Sequence, residues 1–325
     1  VLPDPVLEEA APVPPEPPRR RVAAVVIGAM AVLAVLGVWS VFFTSGRPGS
    51  PPGSWTLRPY TGLGAWVDVY DWTGPHPTVG VQQIDAMADA GVQTVFLQTS
   101  RSTRHEDVLE PKRLDQLIDR AHARHLHVVA WYLPTFTDTG RDLRRLEAAA
   151  ALEVDGLAVD IEATDVADIA QRNQRVVELS QRVRAAIDRT RRGKPRVVSA
   201  ITLSPVHLDV VNPTYWPGYP WPELGTTYDA VLPMAYWTLR RGDQRDAERY
   251  VTDTVDRIRT ATGMHALPVH VIGGLAEDAT TPDLRGMVAS VDAVHAIGGS
   301  LYDWSSSTPT QWKDLRSLRT LRAQP

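Results

Sequence analysis

The 325-residue chain predicts a (β/α)8 barrel, an α/β fold of the TIM-barrel type, preceded by a single transmembrane helix. Three observations carry that expectation. Eight short β-rich runs alternate with amphipathic helical stretches, and strands alternating with helices imply parallel pairing through right-handed crossovers. The alternating part begins near residue 62 and is close to the ~250 residues of one such barrel. An uncharged apolar run covers residues 22–43.

The N-terminal residues 1–21 are rich in Pro and acidic side chains and bury too little apolar surface to fold, so a disordered tail is expected. Arg19, Arg20 and Arg21 close that tail and the apolar run follows. About 20 apolar residues span a hydrocarbon core, and basic residues stay cytoplasmic. The chain should therefore be single-pass in the cell membrane, with its N-terminus cytoplasmic and the domain extracytoplasmic. A cleaved signal peptide is the competing reading, but its apolar core is shorter, about 7–15 residues. Trp39, Phe42 and Phe43 at the end of the run also suit a membrane interface. Residues 44–61 read as a linker, rich in Gly, Pro and Ser, and residues 62–325 as the barrel.

Within the barrel, strands are expected at 65–69, 94–98, 128–132, 157–161, 197–201, 230–235, 269–272 and 299–302. Helices are expected at 79–90, 111–124, 141–152, 166–190, 246–262, 283–296 and 311–321, with a short one near 221–226. No G-x-G-x-x-G follows an early strand, which argues against an open dinucleotide-binding sheet, and no G-x-S-x-G elbow suggests a serine hydrolase. A net charge of −4 with mixed signs provides no basic stripe, so nucleic acid is not an expected partner. The absence of cysteine removes thiol nucleophiles and zinc-thiolate sites. No cofactor or metal is expected.

Barrel enzymes work at the C-terminal ends of their strands. Those positions hold Asp68, Asp71 and Trp72; Gln98 and Arg101; Trp131 and Tyr132; Asp160 and Glu162; Met234, Tyr236 and Trp237; and Tyr302, Asp303 and Trp304. Carboxylates and aromatic rings dominate, a set suited to polyhydroxylated ligands. The fourth strand is the sharpest. With a side-chain period of 2, Ala158, Asp160 and Glu162 share one face and Leu157, Val159 and Ile161 the other. The apolar face must meet the helices, so the acids point inward. Like charges about 7 Å apart along a strand push one pKa upward, and a carboxyl that keeps its proton is what a general acid needs. The alternative is a pair that caps loop amides or binds an arginine.

The run Asp155-Gly156-Leu157-Ala158-Val159-Asp160-Ile161-Glu162 resembles the fourth-strand motif of the family 18 chitinase-like glycoside hydrolases, D-G-x-D-x-D-x-E. Pro233-Met234-Ala235-Tyr236-Trp237 resembles the sixth-strand M-x-Y-D of that family, and Ser300-Leu301-Tyr302-Asp303-Trp304 its eighth strand. The resemblance implies Glu162 as general acid, Asp160 as its partner, Tyr236 as a hydroxyl donor near the reactive face of the sugar, and Trp304 as a floor beneath it. Ala158 and Trp237 depart from the motifs, where the family carries acids that manage the acetamido group of the substrate. Asp68 or Asp71 is an alternative second carboxylate, with separations of about 5–5.5 Å implying retention and about 6.5–9.5 Å inversion.

The remaining features were weighed against their ordinary uses. Trp131 and Trp304 are the better sugar platforms, and the aromatic loop around Tyr215–Trp221 is a candidate wall of the cleft. His122, His125 and His127 fall on the non-catalytic face, which argues against a metal site. Gly273-Gly274 and Gly298-Gly299 read as tight turns, with a phosphate site as the alternative. Arg101 either binds an acidic substituent or pairs with Glu106 or Asp107. The expected function is a membrane-anchored extracytoplasmic glycosidase acting on a cell-wall or surface polysaccharide by carboxylate general acid catalysis. The alternative is an inactive barrel that binds glycan or a cell-envelope partner.

Overall fold

The computed structural model describes residues 57–189 and 197–321. The tail, the helix expected over 22–43 and most of the linker lie outside the described residues. Among the described residues no helix is long and apolar enough to cross a membrane.

Eight parallel strands close into a barrel in chain order. They are β1 (Gly62–Val67), β2 (Thr94–Gln98), β3 (His127–Tyr132), β4 (Gly156–Ile161), β5 (Val197–Leu203), β6 (Ala230–Met234), β7 (His270–Leu275) and β8 (Gly298–Tyr302). The seam is β1 against β8, with Gly62 opposite Gly298 and Ala65 opposite Leu301. The helices are α1 (Val69–Trp72), α2 (Val81–Ala90), α3 (Pro111–Ala123), α4 (Thr139–Ala151), α5 (Ile169–Arg189), α6 (Trp221–Thr227), α7 (Ala247–Thr262), α8 (Thr281–Ala293) and α9 (Pro309–Leu315). Several of their starts are capped by side chains that satisfy open backbone N–H groups. Asp138 accepts from Arg141 at 2.9 Å, Asp246 accepts from Arg249 at 2.8 Å, and Thr280 with Asp283 and Thr308 with Gln311 form reciprocal boxes.

The expected strands are all present, with shifted ends. β1 stops at Val67 because Asp68 caps the short α1. Its carboxylate accepts from the Tyr70 N–H at 2.6 Å, and Asp71 returns a bond to the Asp68 N–H at 3.1 Å. The last helix ends at Leu315 and tightens into a 3-10 turn, Arg316–Thr320. The two glycine pairs belong to strands, not to turns. A Cβ on Gly273 would come within 2.7 Å of the Met287 sulfur and 2.9 Å of the Ser300 carbonyl. One on Gly298 would sit 2.3 Å from a His270 ring nitrogen. Close packing explains these glycines, and the phosphate reading finds no loop to support it.

Alternation along the strands divides the core in two. Leu157, Val159 and Ile161 join the layer between strands and helices. Ala158, with Trp66, Phe96, Trp131, Ile201, Met234 and Ile272, fills the interior. Near the lower end a buried polar chain crosses that interior. The Tyr60 hydroxyl donates to the carbonyls of Leu157 at 2.8 Å and Val197 at 3.0 Å. His270 Nδ1 lies 2.9 Å from the Tyr60 carbonyl, which can only accept, so this nitrogen carries the hydrogen. His270 Nε2 then accepts from the Ser300 hydroxyl at 3.0 Å, and Ser300 accepts from the Trp66 indole N–H at 2.8 Å. Burial lowers the His270 pKa to about 4.

Asp155 at the foot of β4 accepts from the Val128 N–H at 2.8 Å and from His122 at 3.0 Å, with His127 at 3.8 Å. The histidine run thus serves strand joining on the face opposite the catalytic one. A second buried network ties the upper loops. Tyr132 donates to Asp142 at 2.8 Å and accepts from Arg145 at 2.8 Å, and Asp142 also accepts from the Phe136 N–H at 3.1 Å. Arg145 reaches on to the carbonyls of Ser102 and Arg104.

Two stability outcomes are expected. Arg145→Met removes the donor to the Tyr132 hydroxyl and to the carbonyls of Ser102 and Arg104 and should destabilise the domain by about 1–3 kcal/mol, read by denaturant unfolding. The second concerns His270. It is neutral in both states above its unfolded pKa of about 6.5, and only the unfolded chain takes up a proton between there and about pH 4. Stability from this group is therefore lost as pH falls through that window, by on the order of 3 kcal/mol. The stability advantage of the parent over His270→Gln should narrow by that amount between pH 7 and pH 4. A gap that stays constant contradicts the assignment.

Candidate active site

The upper end of the barrel holds a cavity of about 370 Å³. Of the residues singled out from sequence, Asp68, Gln98, Trp131, Asp160, Glu162, Met234, Tyr236 and Tyr302 line it together. They come from β1, β2, β3, β4, β6 and β8 and the turns that follow, so closure of the sheet is what gathers them.

Asp160 and Glu162 project inward as the alternation of β4 requires. Asp160 is 5% exposed, and its Oδ1 is buried with no hydrogen-bond partner. Neither acid forms an ion pair or hydrogen bond with a described residue. The structural alternative, a pair that caps amides or holds an arginine, therefore has no support. Burial raises both pKa values, and the charge of Glu162 raises that of Asp160 further. Two such groups cannot both ionise cheaply, so they retain a proton between them above the ordinary carboxylate range.

The pair is held from behind. The Tyr219 hydroxyl donates to the Ile161 carbonyl at 2.8 Å, between the two acids in sequence. Tyr219 belongs to the aromatic loop expected to wall the cleft. The loop instead packs outside the barrel: Trp216 donates to Asn173 Oδ1 at 2.6 Å, and the Arg172 guanidinium lies 4.5 Å from the Trp216 ring. Its apolar surface is covered by α5, so it positions β4 and contributes no ring to the cavity.

Three tyrosines and two tryptophans supply the walls. Trp66, not anticipated from sequence, stacks on Phe96 at 4.3 Å and meets Trp131 edge-on at 5.8 Å. The signal for Trp66 was its place two residues before Asp68, on the same inward face of the first strand. Tyr302 donates to Asp68 Oδ2 at 3.3 Å, and its ring lies 6.2 Å from that of Tyr236. Burial first, and the nearby acids next, push both phenols above their ordinary range. Gln98 uses its carbonyl oxygen on the Val69 N–H at 3.0 Å, which fixes α1 and the Asp68 cap against β2. At the mouth Tyr70, 72% exposed, lies beneath the Arg101 guanidinium at 4.8 Å.

Six expected rim residues lie elsewhere. Trp72 is buried and donates to the Gln98 carbonyl at 3.0 Å, and Tyr132 belongs to the network with Asp142 and Arg145. Four more are turned aside. Trp237 is fully buried in the outer layer against Gly273 and Gly274, because the chain after β6 turns its ring away from the barrel axis. Trp304 packs on Trp312 at 4.9 Å and lines a separate surface groove between α2 and α9. Asp71 serves the α1 cap, and Asp303 accepts from the Ser306 N–H at 2.9 Å and hydroxyl at 2.7 Å. Among the described residues, oxygens of Asp68, Asp71 and Asp303 form the one acidic group compact enough for a cation, all within 4.8 Å. Each carboxylate already serves a local turn, so loop closure accounts for the cluster.

No protein-family model matches the chain, and no curated protein matches it. Solved structures do. The glycoside hydrolase domain of PgaB (BpsB) from Bordetella bronchiseptica superposes with a TM-score of 0.56 at 16% identity, covering 82% of this chain and 100% of that one. A family 18 chitinase from Cycas revoluta in complex with allosamidin gives 0.60 at 11% identity, covering 79% and 99%. The Bacillus cereus spore cortex-lytic enzyme SleL gives 0.56 at 8% identity, covering 82% and 76%. Over about four-fifths of its length, this chain has a barrel similar in fold to the chitinase-like glycoside hydrolases.

Proposed function

We propose that the protein is a glycoside hydrolase, anchored in the membrane through residues 22–43 and acting outside the cytoplasm on a cell-wall or surface polysaccharide. The observation that carries this reading is the buried, partnerless Asp160 carboxyl beside the half-buried Glu162 in an aromatic cavity. Burying a carboxyl without a hydrogen bond is costly. A carboxyl left in that condition serves chemistry better than stability.

In the proposed mechanism Glu162, the less buried of the two, protonates the leaving glycosidic oxygen. Burial of Asp160 beside it disfavours a second negative charge and so favours the protonated form of Glu162 until transfer. As the C–O bond breaks, water adds at the anomeric carbon and a carboxylate of the cavity takes up its proton. Tyr236, held protonated, donates a hydrogen bond to the sugar, and the Tyr302 hydroxyl, which gives its hydrogen to Asp68, accepts one. Trp131 and Trp66 offer apolar surface to the ring. Asp68 is the candidate second carboxylate, since it lines the same cavity from the β1 side and Asp71 does not. The similarity in fold to chitinases and to a cortex-lytic enzyme supports the glycan class of substrate.

A second reading, a barrel that binds glycan without cleaving it, rests on Ala158 and Trp237. Both are fully buried where the resembled motifs carry acids, so no third carboxylate stands beside the pair on β4 or β6.

Turnover on a panel of chitin, peptidoglycan and other surface polysaccharides separates the two. Glu162→Gln should lower kcat by roughly 10²- to 10⁴-fold, the usual worth of a general acid, while binding is retained. Binding without turnover in the parent protein would instead establish the second reading. The pH profile has a defined sign. Activity requires the retained proton, so kcat/KM should fall as pH rises through the raised pKa of the pair. Asp160→Asn removes the neighbouring charge and should move that basic limb to lower pH; an unmoved limb argues against coupling.

A further inference from the structure

Arg101 is the one basic residue among those lining the cavity, and its guanidinium is held in place. Its Nε donates to Thr103 Oγ1 at 2.9 Å, and its plane lies over the Tyr70 ring at 4.8 Å. The acid nearest in sequence, Glu106, pairs with Arg104 at 3.8 Å. Arg101 itself forms no ion pair with a described residue. Its two terminal nitrogens make no hydrogen bond to a described residue, on a side chain that lines the cavity.

The loop beneath it is built to stay put. The fully buried Arg145 donates to the carbonyls of Ser102 and Arg104, on either side of Thr103. Arg145 is in turn fixed by Tyr132, at 2.8 Å. Tyr70, exposed as it is, rests on a helix whose cap and contact with Gln98 are both satisfied. Both supports of the guanidinium are thus anchored to strands, and little ordering cost remains when a ligand arrives.

We propose that Arg101 anchors a carboxylate carried by the glycan, so that the substrate is an acidic polysaccharide bound with its carboxyl at the cavity mouth. A planar guanidinium edge matches a carboxylate in bidentate fashion. The acids that line the cavity, Asp68, Asp160 and Glu162, disfavour an anion beside them. Attraction at one point and repulsion at the others together set the direction in which the chain lies across the pair. The inference rests on the glycosidase reading and adds the charge of its substrate. A uronic acid and the lactyl ether of a muramic acid both present the required group.

Binding calorimetry on the full chain carrying Glu162→Gln tests this with two probes. One is an oligouronide and the other a muramic-acid-containing peptidoglycan oligosaccharide, each compared with its own carboxyl-amidated form. At least one acid form should bind roughly 10- to 100-fold more tightly than its amide, as expected for a charge-assisted pair. The probe that shows the difference identifies the source of the carboxylate. Arg101→Gln should abolish the difference, and Arg101→Lys, which keeps the charge but loses the fork, should restore part of it. Thermal melting of each variant controls for folding. Equal binding of acid and amide, or a difference that survives Arg101→Gln, overturns the proposal. If neutral glycans are nonetheless cleaved by the parent, the glycosidase reading stands alone. If nothing on the panel is bound or cleaved, both readings fall.

Discussion

A strand locked between two neighbours cannot rotate, and in this barrel that constraint decides which side chains share the interior. β4 is paired to β5 from Gly156 to Ile161 and to β3 from Gly156 to Val159. Leu157, Val159 and Ile161 must then meet the helices, and Ala158, Asp160 and Glu162 must face the axis. A slip of one residue would exchange the faces and place two acids in the apolar layer. The bond from Tyr219 to the Ile161 carbonyl holds the end of the strand where slippage would begin.

From that constraint follows a local imbalance. The outer layer is continuous and apolar, whereas the interior grades from packed rings near Phe96 to unpartnered carboxyls near the mouth. The lower polar chain of Tyr60, His270, Ser300 and Trp66 is fully satisfied and stabilises closure of the seam. The upper pair is left without partners. Polar groups of both kinds are buried in one cylinder, and the carboxyl left without a hydrogen bond, that of Asp160, lies at the C-terminal end of its strand. That division matches the general separation of stability and chemistry between the two faces of such barrels.

Supports for the cavity come from outside it. Gln98 and the Asp68 cap fix the β1 turn, the Tyr132–Asp142–Arg145 network fixes the loops after β2 and β3, and the aromatic loop fixes β4. None of these residues except Gln98 and Asp68 touches the cavity. They fix the backbone that carries the lining side chains, and precise placement of an acid against a glycosidic oxygen requires such support.

The strand and helix order, the inward acids of β4 and most of the lining set were legible in the sequence, because period-2 alternation and strand-end position are local properties. The (β/α)8 expectation held for the same reason: each strand announced itself by its own composition. Six expected rim residues, Trp72 and Tyr132 among them, lie off the cavity because position at or after a strand end does not set direction. Trp237 and Trp304 turn outward where backbone leaves the sheet, and Asp71 and Asp303 are consumed by turns that only the folded loops create. Trp66 and Tyr70 were passed over because their neighbours in sequence carry the charges. By itself the sequence determined which residues could face the axis, since a pleat alternates whatever surrounds it. Only the tertiary structure decided which of them meet, which are left without partners and where the single cation of the cavity stands. Those depend on closure of the sheet and on contacts between segments far apart in the chain.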